Sequence, residues 1–180
     1  MLAWIVKRSL EAFGRRFDYD VTYMHDVIDE CGVGAVMPVN GMTKISNYRR
    51  DVPADVYHTA RIVAARYGDC GPCLQLTTTI AERDGVDGAT IRAALTGDRR
   101  ALPEPCRLAY DFARSVLDRD GWDGAARNEL RTRYGPRAIV SLAYGICAAS
   151  FYPAFKYALG AAHACEKVRV AGVEVIPQTR

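Results

Sequence analysis

The stretch from His58 to Thr77, HTARIVAARYGDCGPCLQLT, decides how the chain folds and where its chemistry lies. Just upstream, Asp51 and Pro53 mark a helix start, because proline is preorganised for a first helical turn. Val56, Ala60, Val63 and Tyr67 then recur at helical spacing and stop at Gly68. A second helix opens near Gly71-Pro72 and runs through Leu74, Leu76 and Ile80 to Asp84-Gly85. Cys70 and Cys73 therefore fall at the first turn of a helix, at a spacing that closes a disulfide with little backbone movement. The unpaired N–H groups and the positive dipole end there favour the thiolate, the form that attacks peroxides and disulfides. The dipole contributes roughly 0.3–1 kcal/mol, up to ~2 when partly buried. At ~1.4 kcal/mol per pKa unit, it alone lowers a thiol of ~8.5 by about one unit. A strongly activated thiol needs further help.

Upstream of this core, residues 2–13 and 20–31 read as two short helices. The second has Asp18 or Asp20 as its cap and Val21, Met24, Val27, Ile28 and Cys31 on one face. Residues 32–51, GVGAVMPVNGMTKISNYRRD, hold three glycines and a proline without clear periodicity. They read as a long connection that wraps the core or closes a site. This is the best internal boundary, separating an N-terminal helical extension with its loop (1–51) from a helical core with a C-terminal tail (52–180).

Downstream, Asp87 caps a short helix over 88–96 that ends at Gly97. Pro103 opens an amphipathic helix with Cys106, Ala109, Tyr110, Ala113, Val116 and Leu117 inward, and Arg107, Asp111, Arg114 and Asp118 outside. Trp122 to Tyr134 is a further helix closed by Gly135. Pro136 starts a long apolar one that Pro153 is expected to bend or break before Gly160. The tail from Val168 to Ile176, VRVAGVEVI, has the β-branched character of a small hairpin around Gly172. With strands absent elsewhere, the fold class is all-α.

A chain of 180 residues, 49% hydrophobic and 25% charged, fits one soluble domain with an extension. The net charge of +3 is scattered along the chain rather than blocked, which leaves no nucleic-acid footprint. Lys7 and Arg8 follow a short apolar stretch and no cleavage site appears, so a cytoplasmic location is expected, with six reduced cysteines. Ala138 to Phe155 carries no charge over eighteen residues, the lower bound for a membrane span. It is rich in Ala, Ser and Gly, contains Pro153 and is followed by Lys156. That composition suits a buried helix in a core or a subunit interface, hence a homo-oligomer and no membrane. Neither a Gly-x-Gly-x-x-Gly fingerprint nor a Walker loop is present, so no cofactor is expected.

The Cys70-x-x-Cys73 turn lies between helices, which argues against thioredoxin, whose motif belongs in a βαβ context. Four features resemble the alkylhydroperoxidase D-like, or carboxymuconolactone decarboxylase, family. They are the turn itself, the Asp84-Gly85-Val86-Asp87 loop with its short helix, the Tyr110-Asp111-Phe112-Ala113 helix, and the Ala138-to-Gly160 helix ending in Ala158-Leu159-Gly160. The resemblance runs from about Val52 to Gly160. It implies a helical bundle that assembles as a trimer or hexamer. It also implies a dithiol that reduces a hydroperoxide or a partner disulfide, with a thiol reductant protein as a further partner.

The redox-active family pattern places a Glu twelve residues before the first Cys and a His four after the second, as a proton relay. Here His58 stands in the Glu position and Thr77 in the His position. A Thr hydroxyl can hydrogen-bond a thiolate but is no base at neutral pH. His58 titrates in the useful range and is therefore the expected base. By the resemblance Cys73 attacks and Cys70 resolves, whereas the thioredoxin analogy reverses the order. Tyr67 is a candidate pocket residue beside the turn.

Blander readings stand beside these. The cysteine pair could be half of a metal site, but zinc needs about four ligands. The remaining His25, His58, His163, Cys31, Cys106, Cys147 and Cys165 offer no second paired spacing, so no metal is expected. Cys106 and Cys147 fall on apolar faces as core residues. Asp69 would raise a neighbouring thiol's pKa rather than activate it. Within the same fold, a decarboxylase without redox chemistry and a non-catalytic oligomeric binding protein are the alternatives.

Overall fold

Residues 1–119, 124–163 and 167–178 are described in the computed structural model. The described elements run α1 (Leu2–Phe17), α2 (Thr22–Cys31), α3 (Met37–Ser46), α4 (Ala54–Tyr67), α5 (Gly71–Arg83), α6 (Gly88–Thr96), α7 (Glu104–Asp118), α8 (Ala125–Tyr134) and α9 (Pro136–Ala158). A hairpin of β1 (Val168–Val170) and β2 (Val173–Val175) follows. The protein is thus mostly helical, with a short C-terminal two-stranded sheet.

The centre of the molecule is α4. Every residue from Val56 to Arg66 is buried, because α7 and α9 pack along it on two sides and α5 and α6 cover the rest. Its neighbours contribute Leu74, Ile91, Leu95, Ala109, Leu130, Leu142 and Ile146 to one continuous core. A smaller cluster of Met24, Ile28 and Val36 lies under the N-terminal helices, packed against Val6, Leu10, Val39 and Phe155. Phe155 belongs to α9, whose Leu142 and Ile146 are part of the main core.

Several boundaries follow local chemistry. The Asp87 side chain accepts hydrogen bonds from the Ala89 and Thr90 N–H groups, and Gly97 ends α6 at φ 73°. Ala171 (φ 49°) and Gly172 (φ 78°) are both left-handed, as a tight two-residue hairpin turn requires, and Val168 pairs with Val175 across it. Gln75 on α5 fastens the hairpin, donating from Nε2 to the Arg169 carbonyl (2.9 Å) and accepting the Arg169 N–H (2.7 Å).

Four expectations are corrected. Residues 32–51 are not a bare connection: a single 3-10 turn over Val33–Ala35 leads into α3. Val39, Asn40, Gly41 and Thr43 give α3 little intrinsic helix preference; packing against α9 holds it. Pro153 does not break α9, which continues to Ala158, its ring buried against Gly68. Cys31 and Cys147, read as facing apolar surroundings, are both exposed, each lying on its helix flank turned away from the core. His58, expected to titrate as a base at the dithiol, is 1% exposed, since α4 is enclosed all round. The helix expected from Trp122 begins at Ala125 among the described residues; Trp122 and Cys165 lie outside them. By length and composition α9 could cross a membrane, and 44% of its most apolar stretch is buried in the fold.

Candidate functional site

The dithiol turn is built by a sharp reversal between α4 and α5. The amide of Gly68 closes α4 onto Ala64 and Ala65, and Asp69 takes a left-handed conformation (φ 48°). Cys70 is extended as the N-cap of α5, and its carbonyl accepts the first helical bond from Leu74 N–H at 2.9 Å. Pro72 occupies the first turn, where its missing N–H costs nothing.

The end of α9 holds this reversal in place. A Cβ on Gly68 would lie 2.6 Å from Pro153 Cβ, so only glycine lets the two elements approach this closely. The Tyr157 hydroxyl donates to the Asp69 carbonyl at 2.8 Å. From the far side, the His163 carbonyl accepts the Gly71 N–H at 3.1 Å.

Both thiols are free and buried, Cys70 at 0% and Cys73 at 5% exposure. The Cys73 thiol acts as a donor toward the Cys70 sulfur and pulls Cys70 down to about 7. Burial opposes this, the Cys73 backbone N–H and the Lys156 ammonium assist, and Asp69 acts against it. Cys70 forms no full cap hydrogen bond with its side chain, so its thiolate leans on the Cys73 thiol first. Cys73 is pushed strongly up, chiefly because it donates to Cys70 and secondly by burial. Donation from Cys73 thus favours the first negative charge on Cys70.

Three residues that the sequence did not single out surround the pair. Lys156, only 2% exposed, holds its ammonium 5.1 Å from the Tyr19 ring centre and 4.6 Å from that of Tyr23. This cation–π seat keeps a positive charge inside the fold, where its field lowers both thiols. Tyr19 lies close enough to Cys73 to lower it, and its hydroxyl also pairs with that of Tyr23. Burial raises Tyr19 well above its usual value and Tyr23 to about 12, so both remain neutral donors. Lys156 did leave a trace in the sequence, as the only charge in the apolar run from Ala138 to Leu159. Tyr19 and Tyr23 left none, since their role depends on how the N-terminal segment folds back.

The structure disperses the remaining candidates. His58 Nε2 lies 2.8 Å from Asp84 Oδ2, and Asp84 is the C-cap of α5. Eleven residues of helix, about 16 Å at ~1.5 Å per residue, separate it from Cys73. Burial, helped by the Arg61 guanidinium, pushes His58 down to about 4 despite the bond to Asp84. It is a neutral side chain whose Nδ1 has no partner among the described residues. The Thr77 hydroxyl donates to the Cys73 carbonyl at 2.8 Å, the ordinary back-bond of a helical threonine. Tyr67 borders a separate arginine-lined cleft. Cys106 lies in the core with its thiol toward Asp55 Oδ2 (3.5 Å), pushed up to about 12 by burial first and Asp55 second. No group of three or more His, Cys, Asp or Glu among the described residues is placed to hold a metal ion.

Comparison of the chain with protein-family models, with curated proteins and with solved structures gave no match in any of the three.

Proposed function

We propose that this protein is a thiol-dependent oxidoreductase of the alkylhydroperoxidase D-like kind, reducing a small hydroperoxide through Cys70 and Cys73. The observation that carries the reading is a free dithiol at a helix start, beside a buried lysine with no carboxylate within salt-bridge reach among the described residues. The Cys70 thiolate is the natural counter-charge for that ammonium. Cys70 is therefore assigned the attack and Cys73 the resolution, the order of the thioredoxin analogy rather than that of the family resemblance.

In the first step the Cys70 thiolate attacks the terminal peroxide oxygen and the O–O bond breaks. Cys70 becomes a sulfenic acid, and the alkoxide leaves as an alcohol, taking up the proton that Cys70 had released. In the second step the Cys73 sulfur attacks the sulfenic sulfur, and hydroxide departs as water with the Cys73 proton. An external dithiol then reduces the Cys70–Cys73 disulfide and is itself oxidised.

Burial narrows the substrate. A protein disulfide must bring its sulfur into contact with the attacking thiolate, and neither Cys70 nor Cys73 reaches the surface. A hydroperoxide needs only a small shift of the segment carrying Tyr19 and Tyr23. Lys156 stabilises the thiolate by its charge, whereas the sequence assigned His58 the different part of a base. We further assign the protein to the cytoplasm, and the exposed Val140 and Tyr144 of α9 with its C-cap Leu159 to contacts within a homo-oligomer.

Turnover of cumene hydroperoxide with dithiothreitol as reductant tests the reading. The protein should consume peroxide catalytically, and Cys70→Ser should abolish it. The absence of turnover in the unaltered protein would contradict it. A second reading, a non-catalytic oligomeric binding protein or a decarboxylase of the same fold, is favoured by one observation: His58 and Thr77 spend their hydrogen bonds away from the sulfurs.

A further inference from the structure

A cavity of about 240 Å³ opens on the side of α4 that carries Arg66, lined by Arg66, Tyr67, Arg99, Tyr110, Arg114 and Gln178. Arg66 is 8% exposed and, among the described residues, meets uncharged acceptors alone: the carbonyls of Ala94 (3.1 Å) and Leu95 (3.2 Å), Gln178 Oε1 (3.5 Å) and the Tyr110 hydroxyl (3.0 Å). The two carbonyls belong to the last turn of α6, so Arg66 is in part a helix clamp. A helix end carries only about half a negative charge, which leaves the buried guanidinium incompletely compensated.

Among the described residues, Arg99, Arg114, Tyr110 and Gln178 also offer donors to the cavity. Arg99 spends Nε and Nη2 on Asp111 at 2.7 and 2.6 Å, leaving Nη1. Arg114 gives Nη2 to Asp118 at 2.8 Å, leaving the rest of its fork. The Tyr110 oxygen accepts from Arg66, so its own O–H is available to donate. Gln178 has its oxygen toward Arg66, which turns its amide NH2 away from that bond. The two tyrosines supply flat apolar walls, with Arg66 over the Tyr110 ring (5.6 Å) and Arg114 over the Tyr67 ring (5.8 Å).

From this arginine-rich lining, whose spare hydrogen-bonding capacity among the described residues is mostly that of donors, we infer that the cleft binds a small oxyanion carried on a flat ring, such as an aryl phosphate. The volume is below the range typical of drug-sized ligands, which suits a small ligand. The site is independent of the dithiol and stands or falls without it.

Isothermal titration of the full chain with phenyl phosphate, inorganic phosphate and phenol tests the inference. Phenyl phosphate should bind tightest of the three, at sub-millimolar concentration and more weakly in high salt. Arg114→Gln, a change at a half-exposed side chain, should weaken it at least fivefold. Tyr110→Phe should do the same while the melting curve stays cooperative. No binding of phenyl phosphate, or unchanged affinity in Arg114→Gln, would overturn the site. Equal binding of phenol would overturn the oxyanion, and equal binding of inorganic phosphate would overturn the ring.

Discussion

His58 and Asp84 are paired, Nε2 to Oδ2 at 2.8 Å, at the end of α5 remote from Cys70 and Cys73. The pair therefore acts on stability rather than on the thiols. Unfolded, His58 takes a proton near its ordinary 6.5; folded, burial holds it down to about 4. Between these values the unfolded chain binds more protons than the native one, so stability falls as the pH drops from about 6.5 to about 4. The ceiling is ~3.5 kcal/mol, from ~1.4 kcal/mol per unit. Thermal melts of His58→Gln should lose most of this dependence in that window; an unchanged pH profile would contradict the assignment.

Lys156 is expected to set the acidity of Cys70. Removing its charge with Lys156→Met, which keeps the buried stem, should raise the Cys70 titration above its value of about 7. A rise of one unit would cut the thiolate at pH 7 from about half to about a tenth. The ultraviolet thiolate absorbance, corrected with Cys70→Ser, reads this directly. A titration that does not move upward would remove Lys156 from the site.

Gly68 is expected to tolerate no side chain. Its φ of −78° is ordinary, so the cost of Gly68→Ala is purely the contact with Pro153 at 2.6 and 2.7 Å. Overpacking of this kind costs about 1–3 kcal/mol. Chemical denaturation should show that loss, and adding Pro153→Gly should cost less in the Gly68→Ala background than alone.

The helices around the dithiol were legible because their punctuation is local: Pro53, Gly68, Asp87, Gly97 and Gly135 mark ends by backbone chemistry that needs no tertiary context. α3 was not, because Gly41 and its β-branched neighbours become helical only against α9. The site divides in the same way. Cys70 and Cys73 share a turn, so their spacing announces them. Tyr19, Tyr23 and Lys156 come from segments far apart in sequence. His58 shared the cysteines' neighbourhood in sequence, yet the antiparallel run of α4 and α5 carries it toward the opposite end of the pair.

Association should be visible in solution. The exposed apolar side chains of Val140 and Tyr144 on α9 and of its C-cap Leu159, together with Leu2, Trp4 and Ile5 of α1, exceed what scattered surface residues require. Sedimentation at micromolar concentration should give a trimer or hexamer. A species at the 19.8 kDa of one chain would contradict the oligomer.

The central claim, that Cys70 and Cys73 form a working redox pair, is tested most directly by mass spectrometry of the full chain alkylated before and after peroxide. The account predicts a Cys70–Cys73 disulfide that forms with one equivalent of hydroperoxide and reverses with dithiothreitol. In Cys73→Ser it predicts a sulfenic acid trapped on Cys70. Peroxide-treated protein in which both cysteines remain alkylatable, or in which oxidation falls on Cys31 and Cys147 while the pair stays reduced, would contradict it.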